Sequence, residues 1–244
     1  MGSWRRSVLF AVAVLLAGTA WALGVWQVRR LGARRARNAL ALAHQQLPPV
    51  DLTRASISGD PSYRRVEAQG EYDSEHEQVL RGRLFQGIPG AQIVTPLRIA
   101  GKDSAVLVNR GFVPAPDGVR PQAGIDYREI GPKRLHGIAF PIPDQGDGSP
   151  VTFRGLESWG RLELSALRAR FPYPIRSYVI VAAPDSSSPD HTLQGRSYPI
   201  RIEPPPLDSG PHLAYAIQWF LIGGLVLGFA VVFVLGSSKG QSGA

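Results

Sequence analysis

The 244-residue chain contains no cysteine. That excludes disulfides, Cys-ligated zinc, iron–sulfur clusters and thiol-based copper transfer. It leaves the compartment open, because a domain of this size buries a sufficient core without covalent staples. Catalytic signatures are missing as well: there is no H-E-x-x-H, no G-x-S-x-G, and no Walker or Rossmann glycine pattern. Asp and Glu are scattered, which leaves open only a carboxylate pair assembled by the fold. No internal repeat is present.

Charge is missing from two long stretches. Val8 to Val25 is 18 residues without a charge, and Leu213 to Leu235 is 23. At 1.5 Å per residue each helix crosses roughly 30 Å of hydrocarbon, the first only just. A lipid-exposed backbone must satisfy its own hydrogen bonds, so both stretches are expected to be helices. The predicted architecture is a membrane α-helical hairpin of two transmembrane helices plus a mainly β, barrel- or sandwich-like (α+β) extramembrane domain. The expected divisions are a first transmembrane helix at 7–28, a basic juxtamembrane helix at 29–47, a mainly β domain at 48–211, a second transmembrane helix at 212–235 and a flexible tail at 236–244.

The chain carries 27 Lys and Arg against 19 Asp and Glu, a net charge of +8. A basic balance of this kind raises the question of nucleic acid, and position answers it. Arg5, Arg6, Arg29, Arg30, Arg34, Arg35, Arg37 and Lys239 flank the apolar stretches. The other 19 cations and all 19 acids lie between residues 38 and 211, so the central domain is formally neutral. The basicity is juxtamembrane, where it meets anionic headgroups. No domain carries a phosphate-binding footprint, so nucleic acid is not an expected partner.

The first apolar stretch has two readings. Trp4-Arg5-Arg6, an apolar run and Ala20-Trp21-Ala22 fit a signal peptide with an A-x-A cleavage site. The run continues through Val25, however, and Trp21 and Trp26 fit an interfacial belt, which favours a retained helix. Both readings export the central domain. Charge points the other way: two arginines precede this helix and five follow it, so the positive-inside rule keeps the domain internal, although that rule weakens for long loops.

Between the apolar stretches, Tyr63–Tyr72, Gln78–Leu84, Ile93–Ile99, Ala105–Val113, Leu135–Phe140, Val151–Phe153, Tyr178–Ala182 and Tyr198–Ile202 read as strands. They are separated by Gly, Pro, Asp and Ser clusters, as in a barrel or sandwich. Residues 30–46 read as a basic helix ended by Pro48-Pro49. Residues 161–170 read as one short helix, and 114–124, 141–150 and 184–191 as loops.

His44, His76, His136 and His191 stand alone in polar or strand contexts and read as surface or internally satisfied side chains. His212 differs. It follows Gly210-Pro211 at the mouth of the second helix. At 100° per residue it shares a face with Tyr215, Ala216, Trp219 and Gly223. Two readings stand side by side: an interfacial belt, or an axial imidazole for haem iron with flat and small residues admitting a macrocycle. The second helix also carries Gly224-x-x-x-Gly228, and the first has Ala13 with Ala17 and Ala20 with Gly24. This spacing fits close helix packing, and equally the ordinary abundance of small residues in membrane helices.

Five blocks in order resemble one family. Gly24-Val25-Trp26-Gln27 followed by Arg30-Leu31 is similar to the end of the first helix in the Surfeit locus protein 1 family. Tyr63-Arg64-Arg65-Val66…Gly70-Glu71-Tyr72 resembles its first strand, and Arg83…Gly87-Ile88-Pro89-Gly90…Val94-Thr95-Pro96-Leu97 the stretch after it. Val106-Leu107-Val108-Asn109-Arg110-Gly111-Phe112-Val113-Pro114 is similar to its most recognisable strand. His212-Leu213-Ala214-Tyr215-Ala216-Ile217-Gln218-Trp219-Phe220 resembles the start of its second helix. Arg34, Arg35 and Arg37 depart from a position that often carries lysine, and Phe112 stands where tryptophan is usual. Residues 114–150 match nothing quotable; Trp159 and Leu162–Leu167 are compatible.

The resemblance implies an assembly factor for cytochrome c oxidase, a haem–copper terminal oxidase, that helps insert haem a into the catalytic subunit or stabilise it there. It implies the catalytic subunit, haem a synthase and membrane lipid as partners. The chain would sit in a bacterial cell membrane or the mitochondrial inner membrane, with the central domain on the periplasmic or intermembrane-space side. The resemblance makes His212 a haem-iron ligand, with Tyr215, Trp219, Trp26 and Gln27 beside the cofactor. For Gly24, Trp26 and Gln27, helix packing and interfacial anchoring compete with cofactor contact, and a buried Gln27 needs a partner, either the second helix or a haem propionate. Asn109-Arg110-Gly111 reads either as a docking feature or as a structural turn with a glycine bulge and an arginine capping a carbonyl. Two further functions stand beside the assembly factor: a membrane-anchored interaction module that never touches haem, and an envelope enzyme.

Overall fold

The computed structural model describes residues 3–145, 150–153, 155–184, 198–204 and 206–238. His191, Lys239 and the tail from 239 onward lie outside the described residues, as do parts of the predicted loops 141–150 and 184–191. The chain divides into two compact units, Met1–Leu40 with Leu207–Ala244, and Ala41–Pro206.

The first unit is built from α1 (Ser3–Gln46) and the last helix, α3 (His212–Ser238). Both are long and apolar enough to cross a membrane. Their apolar side chains are largely uncovered, with Leu15 70% and Phe229 74% exposed. A helix buried in a soluble core would hide such residues. α1 continues without a break through the basic stretch after the first apolar run, for about 66 Å in all at 1.5 Å per residue.

One stripe of α1 is covered, at Ala17, Ala20, Gly24 and Leu31. The steps of three and four residues keep it on one side of the helix. On α3 the covered positions are Ala216, Gly223 and Ala230. A Cβ added to Gly24 would sit 2.6 Å from the Phe220 ring. One added to Gly223 would sit 2.2 Å from Trp21 and 3.1 Å from the Ala17 carbonyl. Partner numbers fall along α1 as they rise along α3, so the helices run antiparallel. The small residues of α1 therefore pack as their spacing predicted. The Gly224-x-x-x-Gly228 pair does not: a Cβ at either position meets nothing within 4 Å. Gly223 is one position, or 100°, round from that pair, and it faces α1 instead.

The second unit is the β domain. Its strands are β1 (Val50–Asp51), β2 (Arg64–Tyr72), β3 (Gln78–Phe85), β4 (Ile88–Ile99), β5 (Ala105–Pro114), β6 (Pro132–Pro141), β7 (Val151–Phe153), β8 (Leu156–Ser158) and β9 (Ile175–Ala182), with the short helix α2 at Leu164–Arg168. The large sheet runs β1-β2-β6-β9-β5-β4-β3, and β2 pairs again with β4. That extra pairing (Gly70 with Ile99, Glu71 with Arg98, Tyr72 with Leu97) closes β2, β6, β9, β5 and β4 into a barrel. One edge of β2 holds β6; the other is shared by β1 and β4. Gly70 makes closure sterically possible, because a Cβ there would lie 1.9 Å from the Arg98 carbonyl oxygen.

Alternation in β2 sends Val66 and Ala68 inward, where they meet Leu97, Ile99, Val106, Val108, Leu135 and Ile180. β5 is covered on both faces. Its other face joins Leu80, Trp159, Leu164, Leu167 and Phe171 beneath α2. A strand buried twice loses polar alternation and reads as an apolar run, as Ala105–Val108 does before Asn109-Arg110 interrupts it.

The structure corrects three expectations here. β4 begins at Ile88 rather than Ile93, because Gln86 and Gly87 both have positive φ (49° and 79°) and form a two-residue hairpin turn from β3. The predicted helix 161–170 shrinks to Leu164–Arg168; Glu163 is extended before it and Pro172 follows. Tyr198–Ile202 is not a strand. It makes one bridge, Ile200 with Phe112, since Pro199 lacks an N–H and Pro204 bars extension. The two-residue β1 and three-residue β8 were too short to show a period.

Candidate functional site

The mouth of the helix pair is assembled around Asp208. Its Oδ1 accepts from Arg34 Nη2 at 2.7 Å and from the Gly210 amide at 2.9 Å. Its backbone carbonyl accepts from Arg34 Nε at 3.0 Å and Asn38 Nδ2 at 2.7 Å. Gly210 lies in the left-handed region (φ 65°), a conformation glycine adopts without strain. The turn sets His212 as the first residue of α3.

His212 Nδ1 lies 2.9 Å from Gln27 Oε1. Gln27 belongs to the G-x-W-Q block and sits one turn beyond Gly24 on the covered stripe of α1. Gln27 is half-buried, and its partner is an imidazole from the other helix. A carboxamide oxygen only accepts, so the contact is a hydrogen bond when Nδ1 carries a proton. A Cβ on Gly210 would lie 3.5 Å from Nε2 and 3.6 Å from Arg34 Nη1, so both atoms border the space above that turn.

The other residues of the predicted face separate. Trp219 is partly covered, while Tyr215 is 48% exposed and Trp26 51%. Trp26 lies under Arg30, whose guanidinium carbon is 5.6 Å from the ring centroid. Ala216 and Gly223 are occupied in helix packing. A flat macrocycle therefore finds no room along the packed stripe. An imidazole whose Nδ1 is already held by a hydrogen bond is the donor that would hold haem iron here.

In the barrel, Arg110 is the second conspicuous side chain. Ile93 pairs with Gly111 and Val94 with Asn109, so Arg110 is the extra residue of a β-bulge. Gly111 has φ 125°, and a Cβ there would lie 2.0 Å from the Ile200 carbonyl. Arg110 is 1% exposed, which overturns the docking role: the side chain points into the domain. It bonds Glu77 at 3.1 Å, Thr95 at 3.2 Å and Glu129 at 3.2 Å, and it donates to the Tyr127 carbonyl. Its guanidinium lies 5.0 Å from the Tyr72 ring centroid. Arg201 binds both oxygens of Glu129, at 2.9 and 3.0 Å, and donates to the Arg110 carbonyl. The bulge and carbonyl-capping reading of this strand end is what the structure contains.

Burial pushes the Glu77 carboxyl up, against the opposing pull of Thr95, Arg110 and Tyr127. Tyr72 is pushed up to about 12, by burial first and the Glu129 carboxylate second. Sequence reasoning missed Glu77, Glu129 and Arg201, which come from three distant segments. The one signal was a charge, Arg110, inside an otherwise apolar strand.

Three isolated histidines have ordinary partners. His44 Nδ1 meets the Ser62 carbonyl at 2.7 Å, and His76 Nδ1 meets Asp73 at 2.8 Å. His136, largely exposed, lies 3.7 Å from Glu67. Among the described residues, no group of three or more His, Asp or Glu forms a metal cage.

Two apolar, outward-facing helices joined in sequence by a closed β barrel define a membrane-anchored domain protein with a polar cluster where its second helix begins. Comparison with known proteins agrees. The chain belongs to the SURF1 family, whose profile matches residues 14–224. The family is known generally for cytochrome oxidase assembly factors. A SURF1-like protein of Monosiga brevicollis is 26% identical over 220 residues, covering 84% of this chain and 79% of that protein. Surfeit locus protein 1 of Takifugu rubripes is 28% identical over 145 residues, 51% of this chain and 58% of its own length. An uncharacterized SURF1-like protein of Mycobacterium bovis is 26% identical over 214 residues, 82% of this chain and 72% of its own.

Proposed function

We propose that this protein assists the assembly of a haem–copper terminal oxidase by handling haem a as cargo at His212 and passing it to the catalytic subunit. The observation that carries the reading is the 2.9 Å contact between His212 Nδ1 and Gln27 Oε1. It leaves one electron pair, on Nε2, at the membrane boundary. A single imidazole leaves the other axial position of the iron open for handover, where two would hold it more firmly. Haem a is apolar and poorly soluble, so a carrier benefits from a site that opens at the lipid surface. Membrane lipid is the third partner, through the basic stretch after the first apolar run. In this reading the barrel faces the periplasm or intermembrane space and docks on the oxidase; haem a synthase is the source of the cargo.

The test is a visible spectrum of detergent-purified protein made in cells that produce haem a, beside His212→Ala. A haem a spectrum that disappears in the folded variant supports a carrier with His212 as ligand. Equal haem in both proteins moves the ligand elsewhere. No haem in either favours the second reading, a scaffold in oxidase biogenesis that never binds haem; the use of Ala216 and Gly223 in helix packing is the observation on its side.

A further inference from the structure

Gln27 is the residue whose role the fold makes specific. A neutral imidazole carries one proton on one of two nitrogens, and the hydrogen bond at one nitrogen decides which electron pair is free at the other. His212 has an acceptor, Gln27 Oε1, at Nδ1. Arg34 Nη1 borders the same space as Nε2, and a guanidinium offers only donors. Arg34 is itself fixed by Asp208 through Nε and Nη2, and Asn38 holds the same carbonyl. The turn that leads into His212 is therefore tied to α1.

We infer that Gln27 is a positioning residue: it holds His212 in the Nδ1–H tautomer and so presents Nε2 as the metal-binding atom before any ligand arrives. The ligand identity rests on the proposed function; the tautomer does not. A conserved geometry of this type around metal-binding histidines orients the ring and raises its basicity, and loss of the outer partner costs about 10–100-fold in metal affinity.

The test uses the full chain in detergent with 15N-labelled histidine. Long-range 1H–15N correlation reads the His212 ring, identified by its disappearance in His212→Ala. The expected spectrum shows protonated Nδ1 and bare Nε2 in the haem-free protein, with a move toward Nε2–H in Gln27→Leu. An Nε2–H ring in the unaltered protein, or no change in Gln27→Leu, overturns the inference whatever haem does. Haem a titration is the second arm. Gln27→Leu is expected to bind about 10–100-fold more weakly. Gln27→Glu, which keeps an acceptor and adds charge, restores binding and lowers the iron reduction potential. If Gln27→Leu does not fold, the unaltered protein's tautomer and the Gln27→Glu potential decide. Haem retained in His212→Ala moves the haem ligand of the proposed function away from His212, while the tautomer result stands separately. Haem bound through His212 with equal affinity in all Gln27 variants sinks this inference and leaves the proposed function standing.

Discussion

Replacing Arg110 by methionine tests whether the buried charge cluster holds the barrel's strand end to its loops. Methionine fills much of the same volume and removes the charge. Four bonds go at once: to Glu77, Thr95, Glu129 and the Tyr127 carbonyl. Glu129 keeps both bonds from Arg201, so it is not orphaned. Glu77 keeps the Thr95 hydroxyl but loses the cation beside it, with its side chain only 17% exposed. Removing one partner of a buried pair costs 3–5 kcal/mol, and the surviving bonds place this case at the low end, about 3 kcal/mol. The assay is denaturant unfolding of the full chain in detergent, followed by tryptophan fluorescence. The deficit should depend on pH. Glu77 has a raised pKa in the folded protein, and it rises further once Arg110 is gone. A raised group leaves stability intact below its unfolded pKa, about 4.3 for Glu, and erodes it as pH rises through the folded value. The deficit should therefore be largest near pH 8 and shrink toward pH 5. A loss under about 1 kcal/mol, the worth of an exposed pair, or a loss that does not vary with pH, would refute the reasoning.

Four other outcomes are expected. Gly70→Ala drives a Cβ to 1.9 Å from the Arg98 carbonyl and should cost about 3 kcal/mol, the upper end for overpacking; thermal melts and protease sensitivity read it. Gly223→Leu should disrupt the helix pair, whereas Gly224→Leu should not, since only the former meets Trp21 and Ala17; cross-linking of cysteines introduced at positions 17 and 227, which that register sets at one level, reports the difference. For Asp73, burial alone would raise the pKa, but bonds from Tyr173 and His76 prevail and lower it. Its stabilisation is present above the unfolded Asp value, about 3.9, and is lost as pH falls through the folded one, so Asp73→Asn should flatten the acid limb of a stability–pH curve. Finally, cleavage after Ala22 would remove Ala17 and Ala20 from the helix contact, so intact mass of the membrane-extracted protein should retain the residues before Ala22.

The legible parts of the fold were those governed by local periodicity. Two charge-free runs long enough to span a bilayer gave two helices, and alternation between turn clusters gave most strands. Barrel closure was not legible, because it depends on Gly70 meeting a carbonyl 28 residues away, a fact of register rather than period. The glycine pair at 224 and 228 misled for a related reason: spacing fixes which residues share a face but not which face turns inward. At the candidate site, His212 stood out from its position at a helix start. Its link to Gln27 needed the antiparallel helix pairing, which no local pattern encodes. The partners of Arg110 were hidden likewise, since they lie on segments the fold alone brings together.

The two aromatic-on-glycine contacts also act as a mechanical key. Phe220 fills the notch at Gly24 and Trp21 fills the notch at Gly223, one ring from each helix. A slide of one residue along the axis, about 1.5 Å, would push each ring out of its notch toward a side chain. Such interlocked rings resist axial travel in either direction. The level of the imidazole against Gln27 on the facing helix is thus a fixed setting, held by two rings that touch neither residue.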